Sequence, residues 1–374
     1  MEKGPEKSVV YVVLGIYPCF TGGLEIFYHK HIRELAEQQS ITLITCCSKF
    51  QAENVNIIQI PLRFFNIKGT GRIAKLIYTA IAIIKQRKRI EYVHVPYTSN
   101  AGNWGLIFPL LSLFWGVKYI LYNHGGGMRK WKKFSFDKVL YKYAYKVFAV
   151  SAILKQEYEK RAKRAIGVVY PLTKFENATD TNEKIRTKWH IDHSVKIILF
   201  VGSLKSLKMP DTLLNAFISL GKDYVNQQNL KLIFVGDGVM KSSLIGLVKE
   251  KAFDNYVSFA GKVSNEDIPL YYKIANYYII TSKFEGTPIS LLEAMFNGLP
   301  IIGSRVNGIQ NIIKHKETGL LFESGNSENL KEQIQLLIQD SNLAKSAALA
   351  AHCEYNERFS KMNATAKFLN IEII

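Results

Sequence analysis

At 374 residues, with 48% hydrophobic and 21% charged residues and a formal net charge of +18, the chain is sized for two folded domains and is too balanced in composition for a disordered or fibrous protein. Its most apolar stretch, residues 106–115, is interrupted by Pro109 and followed by Lys118, well short of the ~20 apolar residues a membrane span needs. No basic, apolar, small-residue leader opens the chain, so no signal peptide is expected.

In chain order, short β-branched and aromatic runs alternate with longer helical patterns. Residues 9–16, 41–45, 57–60, 92–95, 119–122, 147–150 and 168–170 are expected strands, with helices over 24–39, 73–86, 104–114, 136–145 and 153–163. The strands are continuous apolar runs, the mark of a parallel sheet covered on both faces. The alternation pauses at the polar stretch 173–182, expected to be a linker. It resumes with strands at 197–201, 232–235, 257–259, 278–281, 300–303 and 320–322, and helices at 212–220, 241–251, 290–296 and 328–351. The fold class is therefore α/β, with two doubly wound Rossmann-like domains: 1–172, then 183–355 after the linker. Two such domains are expected to face each other across a cleft, with the carboxyl ends of their strands turned to a ligand. The segment 356–374, with the C-terminal helix, is expected to return to the first domain.

The four cysteines (Cys19, Cys46, Cys47 and Cys353) have neither metal-ligand spacing nor the look of a disulfide framework, so a reducing cytoplasm is expected. Charge is uneven. Residues 1–180 hold 27 Lys+Arg against 12 Asp+Glu, while residues 181–374 hold 22 against 19. A basic half beside a near-neutral one suggests an anionic partner; nucleic acid, an anionic membrane surface and a phosphorylated lipid all qualify, and a solvated basic face is the bland alternative. Two basic runs stand out, 85–89 (KQRKR) and Arg129-Lys130-Trp131-Lys132-Lys133. The second interleaves an aromatic residue, which suits an anionic membrane interface. No finger, RNP-type strand or helix-turn-helix supports a nucleic-acid reading.

The strongest local signal is Glu285-Gly286-Thr287-Pro288-Ile289-Ser290-Leu291-Leu292-Glu293, directly after an expected strand. Thr287 is a suitable N-cap and Pro288 a suitable first helical residue, which leaves the amides of Ile289 and Ser290 to receive an anion such as a diphosphate. Gly286 permits close backbone approach, and Glu285 and Glu293 are spaced to accept from hydroxyls on different parts of one ligand. A second phosphate-compatible loop carries Gly22 and Gly23 at the end of the first strand. A third, Gly202-Ser203-Leu204-Lys205-Ser206-Leu207-Lys208, offers lysines to phosphate as point charges. His124 ends a strand before three glycines, where little packing would bury it.

In this order the segments resemble the retaining glycosyltransferase family 4, of GT-B fold. The likeness rests on Glu285-x7-Glu293, Gly22-Gly23, His124, Val150-Ser151, Gly202 with Lys208, Val235-Gly236-Asp237-Gly238, Val257-x-Phe259-x-Gly261, residues 271–275 and Asn297-Gly298-Leu299-Pro300. The resemblance implies a UDP- or GDP-sugar donor, no cofactor and no metal. It implies that Glu293 binds the ribose, Glu285 the transferred hexose, and Lys208 with the amides near Gly23 and Pro288–Ser290 the diphosphate, while His124 lines the sugar site. Three positions depart from the pattern. Ser203 stands where the family usually has an arginine, with Lys205 as a possible substitute; Thr281 replaces the usual proline; and Pro171-Leu172 replaces an Asn-Gly. The expected function is transfer to a glycan or lipid-linked acceptor in cell-surface polysaccharide synthesis, by a cytoplasmic enzyme peripheral on the inner face of the plasma membrane. A GT-B epimerase or phosphorylase, a degenerate sugar-binding scaffold and a basic nucleic-acid-binding protein are the alternatives.

Overall fold

The structure, a computed structural model, describes residues 8–14, 19, 23–37, 39–61, 70–97, 104–124, 136–169, 183–264 and 266–360. Its contacts divide the chain into two compact units, one holding Met1–Thr173 and the other Lys174–Asn363. The linker expected at 173–182 and the return expected of the terminal segment lie outside the described residues, except that the last described helix, introduced below, belongs to the second unit.

In the first unit seven parallel strands, β1 (Ser8–Val12), β2 (Ile41–Thr45), β3 (Val55–Gln59), β4 (Ile90–Tyr97), β5 (Tyr119–Asn123), β6 (Lys146–Ala149) and β7 (Gly167–Val168), run in the order β3-β2-β1-β4-β5-β6-β7. Alternate side chains of each strand enter different cores. Val9, Tyr11 and Val13 pack with Tyr28, Ile32 and Leu35 of α1 (Gly23–Ala36). Val10 and Val12 join the opposite core, against Ile83 of α2 (Thr70–Gln86), Leu111 of α3 (Trp104–Trp115), Leu140 of α4 (Phe136–Tyr143) and Leu154 of α5 (Ala152–Ala162). Among the described residues one helix therefore covers one face and four cover the other, which explains why the strands lack polar alternation.

The second unit begins with α6 (Glu183–Lys188) and holds six parallel strands: β8 (Lys196–Val201), β9 (Leu230–Val235), β10 (Val257–Gly261), β11 (Tyr277–Ile280), β12 (Ile301–Ser304) and β13 (Leu320–Phe322). Their order is β10-β9-β8-β11-β12-β13. The chain thus winds outward from β8 to β10, returns, and winds the other way from β11. The reversal lies between β8 and β11, and their carboxyl ends form the crevice where doubly wound sheets take ligands. The helices are α7 (Pro210–Ser219), α8 (Lys222–Gln227), α9 (Lys241–Glu250), α10 (Ile268–Ile274), α11 (Ile289–Phe296), α12 (Asn307–Gln310), α13 (Ser327–Gln339) and α14 (Ser341–Arg358).

Three expectations are corrected. The helix expected over 328–351 is two helices, because Asp340 leaves helical backbone and its carboxylate accepts from the Leu343 amide at 2.9 Å, capping α14. That last helix packs on α11, with Phe296 and Tyr355 in edge contact at 5.6 Å. The cysteines are not all unpaired. Cys19 and Cys47 form a disulfide, while Cys46 and Cys353 are free. The two partners follow the adjacent parallel strands β1 and β2, whose pairing brings together loops 28 residues apart in sequence. Finally, α11 begins at Ile289, one residue after the start implied by Thr287 and Pro288 and one before the expected range 290–296. Pro288, not Thr287, is its cap and supplies no side-chain hydrogen bond.

Candidate functional site

The loops after β8 and β11 meet at the reversal point of the second sheet. The loop after β8 is shaped by the loop after β9. Gly202 N–H donates to the Val235 carbonyl at 2.9 Å, and Leu204 N–H to the Asp237 carbonyl at 3.0 Å. Gly236, at φ +138°, makes this approach possible, since a Cβ there would lie 1.9 Å from the Gly202 carbonyl oxygen. The glycines of the Val235-Gly236-Asp237-Gly238 segment therefore hold the Gly202 loop close.

The loop then turns, with Lys208 N–H donating to the Lys205 carbonyl at 2.9 Å, and enters α7 through Met209, at φ +47°. Lys205 is exposed on this turn, while Lys208 is half-buried. The Lys208 ammonium donates to Glu285 Oε1, and the Ser282 hydroxyl donates to the same oxygen at 2.6 Å. Of the two lysines of the loop, Lys208 is the one placed on Glu285. The buried Thr281 hydroxyl, 2.8 Å from the carbonyls of both Lys208 and Met209, ties the end of β11 to that lysine's backbone. Lys283 N–H adds a bond to the Leu207 carbonyl at 2.9 Å. The Ser304 hydroxyl fixes the Ser282 carbonyl at 2.7 Å.

Past Glu285 and Gly286 the chain passes Thr287 and Pro288 into α11. The Pro288 carbonyl accepts from Leu291 and Leu292, so intrahelical bonding leaves the amides of Ile289 and Ser290 at the positive end of the helix. Glu293, one turn on, lies beside Tyr272 of α10, whose hydroxyl is 2.9 Å from Glu293 Oε2 and 3.0 Å from the Ser290 carbonyl. Burial, with the Glu293 carboxylate adding to it, holds the Tyr272 phenol well above its ordinary range, so it stays protonated and serves as a donor. The other side of the loop is pressed by α12: a Cβ at Gly308 would stand 2.2 Å from the Glu285 carbonyl oxygen and 2.4 Å from that of Gly286.

Gly202, Ser203, Lys205, Lys208, Glu285, Gly286, Thr287, Pro288, Ile289, Ser290 and Glu293 are therefore all on two adjacent loops and the helix that follows one of them. Tyr272, Thr281, Ser282 and Gly308 support them. Tyr272 falls inside the 271–275 segment of the resemblance, but nothing in the sequence ties its hydroxyl to Glu293.

In the first unit His124 follows β5, and its Nε2 lies 2.7 Å from the Tyr28 hydroxyl of α1. The rings meet edge to face at 5.3 Å. Loss of surrounding water pushes the His124 imidazole down to about 3, so it is neutral near pH 7. It belongs to an aromatic and imidazole cluster on the α1 face of the sheet. There Tyr11 stacks on His94 at 4.4 Å, and His31 Nε2 lies 3.2 Å from the Tyr11 hydroxyl. Gly23 is the first residue of α1. Gly22 and the run Arg129, Lys130, Trp131, Lys132 and Lys133 lie outside the described residues. Among the described residues no group of three or more His, Cys, Asp or Glu is arranged to hold a metal ion.

Two parallel α/β units, each with its sequence motifs at strand carboxyl ends, define a GT-B protein. The Anabaena protein HepE, solved in complex with UDP and glucose, matches at a TM-score of 0.76 over 98% of this chain and 99% of that one, at 16% identity. The model described as "Glycosyl transferases group 1" matches residues 181–353, and "Glycosyltransferase Family 4" matches residues 21–172. The chain belongs to glycosyltransferase family 4. It is similar to the N-acetyl-alpha-D-glucosaminyl L-malate synthase of Bacillus anthracis, 28% identical over 188 residues, which are 50% of this chain and 48% of that relative; the match spans about half that relative's length. An uncharacterised glycosyltransferase of Methanocaldococcus jannaschii is 24% identical over 352 residues, 92% of each chain.

Proposed function

We propose that the protein is a retaining glycosyltransferase that moves a hexose-type sugar from a UDP- or GDP-activated donor to a glycan or lipid-linked acceptor in cell-surface polysaccharide synthesis. The observation that carries this reading is the Lys208–Glu285 contact at the reversal point of the second sheet, beside the open amides of α11. It joins a cation and a helix N-terminus, which suit a diphosphate, to a carboxylate suited to sugar hydroxyls. UDP and glucose in HepE, which shares the fold, support a nucleotide-sugar donor.

In this reading the bond between the anomeric carbon and the diphosphate breaks, and its electron pair stays on the departing phosphate oxygen. Lys208 and the amides of Ile289 and Ser290 stabilise that charge where it develops. Glu285 accepts from hydroxyls of the transferred sugar, and Glu293, held by Tyr272, accepts from the ribose. The acceptor hydroxyl bonds to the anomeric carbon on the face the diphosphate leaves, with retention, and its proton passes to the leaving phosphate. The charge stabilisation comes from the chain itself, so we propose transfer without a divalent ion, with equal rates in EDTA. His124, neutral and hydrogen-bonded to Tyr28, lines the sugar site as a donor or acceptor rather than as a cation.

The charge of the first 180 residues supports work at an anionic surface, on the inner face of the plasma membrane, where nucleotide sugars are available. A thermal-shift screen against UDP-, GDP- and ADP-sugars tests the donor reading, since a ligand bound to the folded state raises Tm. One nucleotide class should raise Tm, with nucleotide diphosphate released only when acceptor is present. Release without acceptor, or no shift with any sugar nucleotide, contradicts the proposal.

A further inference from the structure

Exposed apolar side chains in this protein are concentrated on two neighbouring helices of the first unit. On α2, Ile77, Tyr78 and Ile81 are exposed; on α3, so are Leu113, Phe114 and Trp115. Phe114 is 72% exposed, Leu113 56% and Ile77 52%, far beyond what helices of a covering layer leave to water. The positions follow helical spacing. Ile77, Tyr78 and Ile81 share the outer face of α2 with exposed Lys85, while Thr79 and Ile83 are buried beneath. On α3, Leu113 and Phe114 point outward, while Phe108 and Leu111 enter the core. The two helices pack side by side on the same face of the sheet, so their outer faces form one surface.

This surface is rimmed by cations. Lys85, Arg87, Lys88 and Arg89 are exposed at the carboxyl end of α2 and just beyond it, and Lys138 and Lys142 on α4, which packs against α3. Between Lys68 and Lys146 the sequence has 15 basic residues and, as acids, only Glu91 and Asp137. A second copy of the chain fits poorly on such a face, because a two-fold contact would bring the 85–89 run toward its own mate. A planar sheet of anionic headgroups answers both features: it pairs with the rim, and its acyl boundary receives the apolar ridge. Among the described residues no helix is long and apolar enough to cross a membrane, so the contact lies along the interface.

We infer that the outer face of α2 and α3 docks on an anionic lipid bilayer, with Ile77, Ile81, Leu113 and Phe114 entering the interface and the Lys85–Arg89 run on the headgroups. This deepens, and rests on, the membrane placement proposed above, which named charge but no apolar surface. The test is co-sedimentation of the full-length protein with phosphatidylcholine vesicles, with and without phosphatidylglycerol, at low and high salt. Wild type should pellet only with the anionic vesicles and be released by salt. Replacing Leu113→Ser with Phe114→Ser should lower the apparent partition about tenfold or more at low salt. Replacing Lys85, Arg87, Lys88 and Arg89 by Gln should cause a similar loss and flatten the salt dependence. Because these side chains are exposed, Tm should hold in both variants, and the donor-induced shift should be unchanged.

If the serine variant binds as wild type while Gln at Arg129, Lys130, Lys132 and Lys133 abolishes binding, the membrane placement stands and this surface is overturned. If no form binds anionic vesicles yet the donor shift persists, the membrane placement itself falls and the transferase reading is untouched. A concentration-dependent dimer abolished by the serine substitutions would also overturn the proposal, with a second copy as the occupant.

Discussion

Lys208 and Glu285 come from different loops and meet because two supporting residues leave them little choice. The first is Thr281. Its hydroxyl replaces the proline of the family pattern and holds the carbonyls on either side of the turn into α7. Thr281→Val removes the hydroxyl those carbonyls share and leaves that of Met209 to the Thr212 amide alone, which costs about 1 kcal/mol. It should lower Tm and raise the donor KM about tenfold, because the Lys208 backbone is no longer tied to β11; an unchanged KM would show that Lys208 is held by other means. The second is Gly308, whose missing side chain lets α12 reach the Glu285 and Gly286 carbonyls. Gly308→Ala must push that loop by a substantial fraction of an ångström. The expected result is a kcat loss on the order of a hundredfold with native circular dichroism. Glu285→Gln, which keeps shape and removes charge, should lower kcat by a similar factor in the same folded background. These supports were not legible in the sequence, because each acts through an atom brought close by the fold. The acids and Lys208 were legible, since they sit in local patterns that follow strands, and the helix start was legible to within one residue.

At the scale of elements, the strands were readable because continuous apolar runs have few alternatives in an α/β chain, and the strands of the described residues overlap such runs. The short helices were not. Seven-residue α10 carries Pro269 in its first turn, and α12 has four residues, too few to show a period. The break at Asp340 was hidden because helical residues flank it on both sides, and only the cap reveals it. The imidazole cluster of the α1 face has a consequence for stability. Burial pushes His94 and His124 down to about 3, and His31 is lowered by burial and by its two neighbours. Their folded values lie below the unfolded value near 6.5, so the unfolded chain binds more protons in between. The stability they contribute is complete above about pH 6.5 and is lost as pH falls toward about 3. Thermal unfolding should therefore drop by several degrees between about pH 7.5 and 5. Replacing His94 by Phe should flatten that dependence; a profile with no slope in this window would contradict the neutral cluster.

Across the whole molecule, the two units divide the work. The second, near-neutral in charge, carries Lys208, Glu285, Glu293 and the N-terminus of α11 at the reversal point of its sheet. The first carries His124 and most of the excess positive charge, with the exposed apolar face of α2 and α3. In the sequence, the restart of the β–α alternation and the fall in basic excess mark the two halves. No such pattern marks the Cys19–Cys47 pair, because its partners meet only through the pairing of β1 with β2. Whether Lys208 and Glu285 serve one donor is measured directly by single-turnover transfer from a preloaded sugar nucleotide. Lys208→Ala, Glu285→Gln and the double variant should slow transfer by nearly the same factor, because both residues act on one bound donor as a unit. Independent losses that multiply in the double variant, or full transfer by either single variant, would contradict it.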